Sequence, residues 1–157
     1  MAVDLGPSRD RGFTLLEILL ALVIAGVLLA VAVPNFGPAV ARAQLYSATR
    51  DVASALRHAR GQAVIRGRDA EFELDLDRHR YRVTGRNRPF DLPGPVRLGL
   101  YTAQSETVAE GIGRIRFFPD GSATGGRVTL EGGGRKQSVD VSWLTGEVTI
   151  REEADDD

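Results

Sequence analysis

The chain contains no cysteine, and this absence excludes several kinds of site. Without thiols there is no structural disulfide, no thiolate-bound metal, no cysteine nucleophile and no lipidated cysteine anchor. A strong net charge is also lacking, because 20 lysine and arginine residues nearly balance 21 aspartate and glutamate residues, leaving −1. The sequence therefore has no overall positive field that would attract nucleic acid.

The composition is that of a folded protein. Hydrophobic residues make up 43% of the chain and charged residues 26%, which is ordinary for a globular domain and atypical of a disordered one. A length of 157 residues suggests a single domain plus any separate terminal segment.

A long apolar run near the N-terminus forms such a segment: RGFTLLEILLALVIAGVLLAVAVPNF, from Arg11 to Phe36. A helix over Phe13–Phe36 is long enough to span the ~30 Å hydrocarbon core of a bilayer. The only ionisable side chain between Phe13 and Val33 is Glu17. A carboxylate at bilayer depth costs on the order of 2.5–3.5 kcal/mol, so its presence needs an explanation.

Two familiar interpretations of the run leave Glu17 unexplained. In a secretory signal peptide, Arg9 and Arg11 would form the basic region and Ala30–Ala32 the cleavage site, but the apolar core is too long. An ordinary signal anchor would keep the basic residues inside and the globular part outside. Neither interpretation gives the acid a function.

Cleavage between Gly12 and Phe13 does give the acid a function. Phe13 would then carry a new α-ammonium at the end of an apolar helix, and Glu17 of a neighbouring helix could neutralise it. A buried charge is tolerated when it is paired and hydrogen-bonded. The acid would also favour one stagger between helices, as a polar residue does in a coiled coil.

These residues resemble the type IV prepilin (class III) signal, with a charged leader ending in Gly12, then Phe13, the acid at Glu17, and an unbroken apolar helix. The resemblance implies that a prepilin peptidase cuts after Gly12 and N-methylates Phe13. Pro34 stands where such helices have their first proline. Because proline lacks an N–H and crowds the preceding turn, we expect a kink at Pro34 and irregular helix from about Ala32 to Pro38.

Beyond the kink, apolar residues recur every three or four positions and predict an amphipathic helix ending near Ile65, with Gly67 as the stop. Arg42, Arg50, Arg57 and Arg60 fall on another side of that helix. They could bind nucleic acid, as could the GRNR stretch at 85–88, but no aromatic residues for base stacking are interleaved with the arginines. The preferred interpretation is a solvated face, which acids of a neighbouring subunit could pair with.

After Gly67 the apolar period changes from 3.6 to 2, which predicts strands. EFELDLD (71–77) and RHRYRV (78–83) form a hairpin whose acidic and arginine-rich faces we expect to pair across the two strands. Further strands are predicted at Val96–Tyr101, Arg114–Phe118, Arg127–Glu131, Ser138–Leu144 and Glu147–Arg151, the last two joined by a hairpin at Thr145–Gly146. The pattern indicates an antiparallel sheet or sandwich with one face covered by the helix.

Two longer stretches, 55–83 and 115–150, resemble the GspH/FimT family of pilin-like proteins, above all in FFPDGSATGG and the closing TGEVTI. The resemblance implies an α+β pilin-like fold in which a long N-terminal helix, membrane-spanning in its first half, packs on a β-rich domain. The expected segments are a leader (1–12), an assembly helix (13–36), its amphipathic continuation (37–66), the domain (67–151) and an acidic tail (152–157).

The resemblance further implies a minor pseudopilin of the type II secretion system, near the tip of a periplasmic pseudopilus held in the inner membrane. Its implied partners are the other minor pseudopilins, the major pseudopilin and the prepilin peptidase, with secreted substrates as a further candidate. The alternative is a FimT-like minor pilin of a type IV pilus, but its DNA-gripping basic end is replaced here by REEADDD.

We expect no catalytic residues, no metal and no cofactor. The glycine-rich stretches lack the GK[ST] ending of a phosphate loop and are interpreted as turns. His58 and His79 have no metal-ligand spacing. A triad of Asp120, Ser122 and a histidine has no support without geometry.

Overall fold

The structure, a computed structural model, describes residues 13–32, 36–102, 107–109 and 111–153. It divides into two compact units, Met1–Phe36 and Gly37–Asp157. Gly12 and Pro34, predicted as the cleavage and kink residues, lie outside the described residues.

The first unit contains one helix, α1, over Leu15–Ala32. Its 18 residues rise about 27 Å, less than the full 13–36 run would. Among the described residues, no helix combines the length and the apolar character that crossing a membrane requires.

The second unit opens with α2, over Phe36–Arg66. Gly37 and Pro38 lie within its first turn, so these two residues are helical and not irregular as expected. Proline is tolerated there because the first-turn N–H groups have no helical partner. The helix ends at Gly67, whose φ of 61° and the 3.3 Å bond from Arg68 N to Ala63 O form a Schellman cap.

Within the described residues nine strands follow, paired antiparallel in two sheets. The five-stranded sheet has the order β3-β2-β1-β6-β5, and the four-stranded sheet has the order β4-β7-β8-β9. Their bounds are β1 Ala70–Asp75, β2 Arg80–Val83, β3 Phe90–Asp91, β4 Arg97–Tyr101, β5 Thr107–Ala109, β6 Ile112–Phe117, β7 Gly126–Gly132, β8 Arg135–Val141 and β9 Val148–Glu153.

One apolar core joins α2 to both sheets. Leu45, Val52 and Leu56 of α2 are fully buried, as are Phe72 of β1 and Val139 of β8. The alternating burial of β1 and β6 follows from the period-2 pattern of their sequences. The predicted α+β architecture, with a helix on antiparallel sheets, is thus confirmed.

The predicted pairing of the first hairpin is only partly correct. Arg80 of β2 lies 3.5 Å from Asp75, as expected, but Glu71 and Glu73 pair with Arg114 at 3.3 Å. Arg114 belongs to β6, the other neighbour of β1, which local sequence could not reveal.

The predicted tail begins too early, because β9 extends through Glu153 rather than ending at Arg151. Glu152 accepts hydrogen bonds from Arg135 Nη1 at 2.6 Å and from the Tyr46 hydroxyl at 3.2 Å. Glu153 pairs with Lys136, and the hydrogen bond from that ammonium lowers the pKa of Glu153 below its ordinary value. These two acids are therefore the last residues of β9 and not the first residues of a tail.

Candidate assembly surfaces

The first candidate surface is α1 together with Phe13 and Thr14, which precede it, because all side chains from Phe13 to Leu29 are exposed. Phe13 is 77% exposed and Leu22 64% exposed. Contiguous apolar surface on this scale marks a site of contact with lipid or with other protein. The helix has no polar face of its own, so any orientation toward water exposes apolar side chains.

Glu17 lies in the first turn of α1, at its third position. Thr14 precedes the helix, and its hydroxyl accepts a hydrogen bond from the Glu17 backbone N–H at 3.2 Å. This is the threonine half of a capping box, and an acid at this position is also favoured by the helix dipole. The T-x-x-E spacing was available in the sequence as a sign of this cap, and the sequence-based interpretation missed it.

The cap gives Glu17 a local structural function in addition to the one predicted for assembly. The carboxylate itself is exposed, so it remains accessible to a cation from another chain. Phe13 and Glu17 are thus adjacent to the helix start, whereas Gly12 lies outside the described residues.

Three of the four arginines on one side of α2 form hydrogen bonds within the domain. Arg42 Nε donates to Gly133 O at 3.1 Å, and Arg57 Nη2 donates to Val148 O at 3.1 Å. Arg60 Nε donates both to Gly121 O at 3.2 Å and to Thr145 O at 3.1 Å.

These arginines connect the helix to the β6–β7, β7–β8 and β8–β9 turns and to the first residue of β9. The turns lie far away in the sequence, between 61 and 91 residues from the arginines, so helical periodicity alone could not predict the contacts. All four arginines are exposed, as a solvated face predicts, but three of them also donate hydrogen bonds to carbonyls of the same domain.

The turn containing Asp120 and Ser122 is an Asx turn. Asp120 Oδ1 accepts hydrogen bonds from the Ser122 hydroxyl at 2.6 Å and from the Ser122 N–H at 2.9 Å. The serine hydroxyl lowers the pKa of Asp120 most, followed by the backbone N–H. In this common turn motif the aspartate side chain satisfies the hydrogen-bond donors of the residue two positions on.

Neither histidine joins that turn as a catalytic base. His79, in the β1–β2 turn, places Nε2 3.1 Å from Val96 O, and His58 lies on α2. Within the part of the chain that the structure describes, no group of three or more candidate ligands could hold a metal ion.

The outer face of the five-stranded sheet carries ordered ion pairs. Asp75, at the end of β1, accepts a hydrogen bond from the Arg78 N–H at 2.9 Å and lies 3.4 Å from the Arg78 guanidinium. The backbone hydrogen bond is the largest cause of a lowered pKa for Asp75, and the charges of Arg78 and Arg80 act in the same direction. These charges fix the β1–β2 turn.

Comparison with known proteins gives a consistent picture. The family described as "Type II transport protein GspH" matches residues 48–146, and the "Prokaryotic N-terminal methylation motif" matches residues 7–33. "Type II secretion system protein H" of Xanthomonas campestris is 36% identical over 141 residues, covering 88% of this chain and 81% of that protein. A "Fimbrial protein" of Pseudomonas aeruginosa is 37% identical over 62 residues, 40% of each chain.

Two kinds of solved structure share the fold. The type IV minor pilin FimU of Pseudomonas aeruginosa superposes with a TM-score of 0.53 at 14% identity, over 68% of this chain and 92% of that one. The minor pseudopilin EpsH from the type 2 secretion system of Vibrio cholerae superposes with a TM-score of 0.53 at 13% identity, over 73% and 99%. At these identities the likeness concerns the pilin-like fold.

Proposed function

Because this chain belongs to the GspH family of type II transport proteins, we propose that it is a minor pseudopilin of the type II secretion system. In this role it is a structural subunit of the periplasmic pseudopilus and performs no catalysis. The proposal is carried by one observation. A capped apolar helix with exposed side chains precedes a domain whose hydrophobic core is formed by its own residues.

The proposal includes a membrane stage. Before assembly, the apolar N-terminal segment holds the chain in the inner membrane with the domain in the periplasm. The methylation motif over residues 7–33 and the exposed apolar side of α1 support this arrangement. The arginines of the leader stay on the cytoplasmic side, as the positive-inside rule requires.

Processing then creates the charge pair. A prepilin peptidase cuts after Gly12 and methylates the new N-terminus at Phe13, leaving a cation beside the start of α1. Glu17 of one subunit neutralises this cation on its neighbour, so that neither charge is buried alone. Pro34 introduces the expected kink where the apolar run of the helix ends. The partners are the other minor pseudopilins and the major pseudopilin, and the position is near the fibre tip, where secreted substrates are within reach.

The test uses Glu17→Val in the native host, with leader removal followed by peptide mapping and incorporation followed by co-isolation with sheared fibres. We expect cleavage after Gly12 to continue and incorporation to fall at least tenfold, because the Phe13 ammonium loses its partner. Normal incorporation of Glu17→Val would contradict the charge-pairing mechanism.

Two control variants separate the charge from the helix cap. Thr14→Val removes the hydroxyl that accepts the Glu17 N–H bond but keeps the carboxylate, so incorporation should stay within about twofold. Glu17→Gln keeps the side-chain length but removes the charge, and it should resemble Glu17→Val. The reverse ranking would assign the function of Glu17 to capping.

A further inference from the structure

A second exposed apolar surface lies on the domain, at the end of α2. It consists of Val64 and Ile65 in the last turn of α2 and Trp143 and Leu144 in the β8–β9 turn, and we call it the end patch. Their exposed fractions are 50%, 80%, 68% and 64%. Trp143 is the only tryptophan of the chain, and exposed tryptophans are enriched at the centres of protein interfaces.

The turn between β6 and β7 lies against both elements that carry the end patch. A Cβ on Gly121 would lie 3.8 Å from Val64 Cγ2, and a Cβ on Gly146 would collide with the Gly121 carbonyl oxygen. The Ala123 N–H donates to Trp143 O at 2.9 Å, which joins the β8–β9 turn to the β6–β7 turn. The backbone beneath the end patch is therefore closely packed.

A basic cleft of about 460 Å³ borders this patch. It is lined by Arg57 and Arg60 of α2 and by Thr145, Gly146, Glu147 and Val148 of the β8–β9 turn. The carbonyl bonds to Val148, Gly121 and Thr145 hold both arginines in place. These bonds engage one nitrogen of each guanidinium, and a guanidinium has five N–H donors in a fixed geometry, so each arginine keeps donors for a further acceptor.

We propose that the cleft and the end patch together dock an acidic, apolar segment of a neighbouring protein subunit. A carboxylate of that segment would bind between Arg57 and Arg60, and its apolar side chains would cover Trp143 and Leu144. This inference rests on the proposed function, because it takes the partner to be another pilin-like subunit of the same fibre.

The chemistry of the surface favours a protein over a nucleic acid. A polyanion would meet Glu147, the one acid among the residues that line the cleft, and would leave the end patch uncovered. A segment with a single carboxylate uses the two arginines and buries the apolar side chains next to them. Arginine forks suit carboxylates because they bind both oxygens.

The experiment uses the full-length chain in detergent with 5-fluorotryptophan in place of tryptophan, so that Trp143 gives the single fluorine resonance. Each full-length pilin-like subunit of the same secretion apparatus is added in turn, unlabelled, and so is a single-stranded DNA oligonucleotide. We expect one subunit to shift or broaden the resonance in a saturable way, and the oligonucleotide to leave it unchanged.

Variants then test the two halves of the surface. Arg57→Gln combined with Arg60→Gln should raise the Kd at least tenfold, and so should Leu144→Ser. The control Arg97→Gln removes an 85% exposed arginine that pairs with Glu131 at 2.9 Å, and it should change the Kd less than twofold. Leu144→Ser touches none of the carbonyl bonds, so it decides the question if the double variant fails to fold.

The inference is overturned if no subunit perturbs Trp143, if Leu144→Ser binds as the unchanged chain does, or if the oligonucleotide gives the arginine-dependent shift. These outcomes are distinct from failure of the proposed function, which is read from Glu17 variants in the fibre. A chain that enters fibres normally while Trp143 stays unperturbed loses only the docking surface.

Discussion

The two units of this chain use apolar residues in opposite ways. Twelve large apolar side chains are exposed between Phe13 and Leu29, eleven of them in α1, whereas Leu45, Phe72 and Phe117 of the domain are fully buried. Burying a large apolar side chain contributes about 1.5–3 kcal/mol, so the domain realises this stabilisation within one chain. The apolar side chains of α1 can gain a comparable stabilisation, on the order of 10 kcal/mol, only by contact with lipid or with other helices.

The comparison teaches that hydrophobic content alone does not tell a core from an assembly surface. What differs is the pattern: α1 is apolar on all sides, while α2 and the strands are apolar on one side only. A segment of the first kind needs an environment supplied from outside the chain. The following changes test this division, beginning with the largest expected effect.

Phe72→Ala and Leu22→Ala give the most direct test. Phe72 is fully buried, so its truncation should lower the free energy of unfolding of the domain by about 3–5 kcal/mol. Leu22 is 64% exposed, and its truncation should change that free energy by less than about 0.5 kcal/mol. Chemical unfolding of the full chain in detergent, followed by circular dichroism, measures both. Equal losses would show that α1 belongs to the domain's core.

Two glycine variants test whether the close backbone contact beneath the end patch contributes to stability. Gly146 has a φ of 62°, and a Cβ there would collide with the Gly121 carbonyl oxygen, so Gly146→Ala should cost about 3 kcal/mol in the same assay. Gly134 has a φ of 73° with open space around it, so Gly134→Ala should cost about 1 kcal/mol, the backbone strain alone. If the two variants were equally stable, the close contact would have no energetic role.

The smallest expected effect is a pH dependence at Asp75. The pKa of Asp75 is lower in the folded chain than in the unfolded one. Its ionised carboxylate therefore contributes to the free energy of unfolding above the ordinary carboxyl pKa, and this contribution is lost as pH falls through the folded-state pKa. Asp75→Asn should therefore be less stable than the unchanged chain at pH 7, and the difference should shrink below about pH 4. Asp91→Asn, at an exposed position of β3, is the control. A difference that stays constant down to pH 2 would contradict this account.

Patterns within a short window were sufficient for much of the fold. The period-2 alternation around Phe72 and the glycine at position 67 indicated a strand and a helix end, and both follow from local sterics and burial. The strands β3 and β5 were missed because two or three residues carry no periodic signal. The partner of Glu71 was missed because β6 lies more than forty residues away.

The candidate surfaces also differ in how much of them local sequence could predict. Phe13 and Glu17 were predicted as assembly residues from an apolar run and one misplaced charge, and their role in the fibre stays a prediction. The fixed position of Arg57 and Arg60 depends on carbonyls of the β8–β9 and β6–β7 turns, which only the three-dimensional fold brings to α2. The end patch depends on the same turns and leaves no mark in local sequence.

The measurement that tests the central claim most directly is the intact mass and N-terminal peptide map of the protein purified from its native membrane. The claim is that the apolar segment is an assembly helix released by processing. It predicts a chain that begins at N-methylated Phe13. A chain that begins at Val33, or one that keeps Met1 in the presence of a working prepilin peptidase, would contradict it.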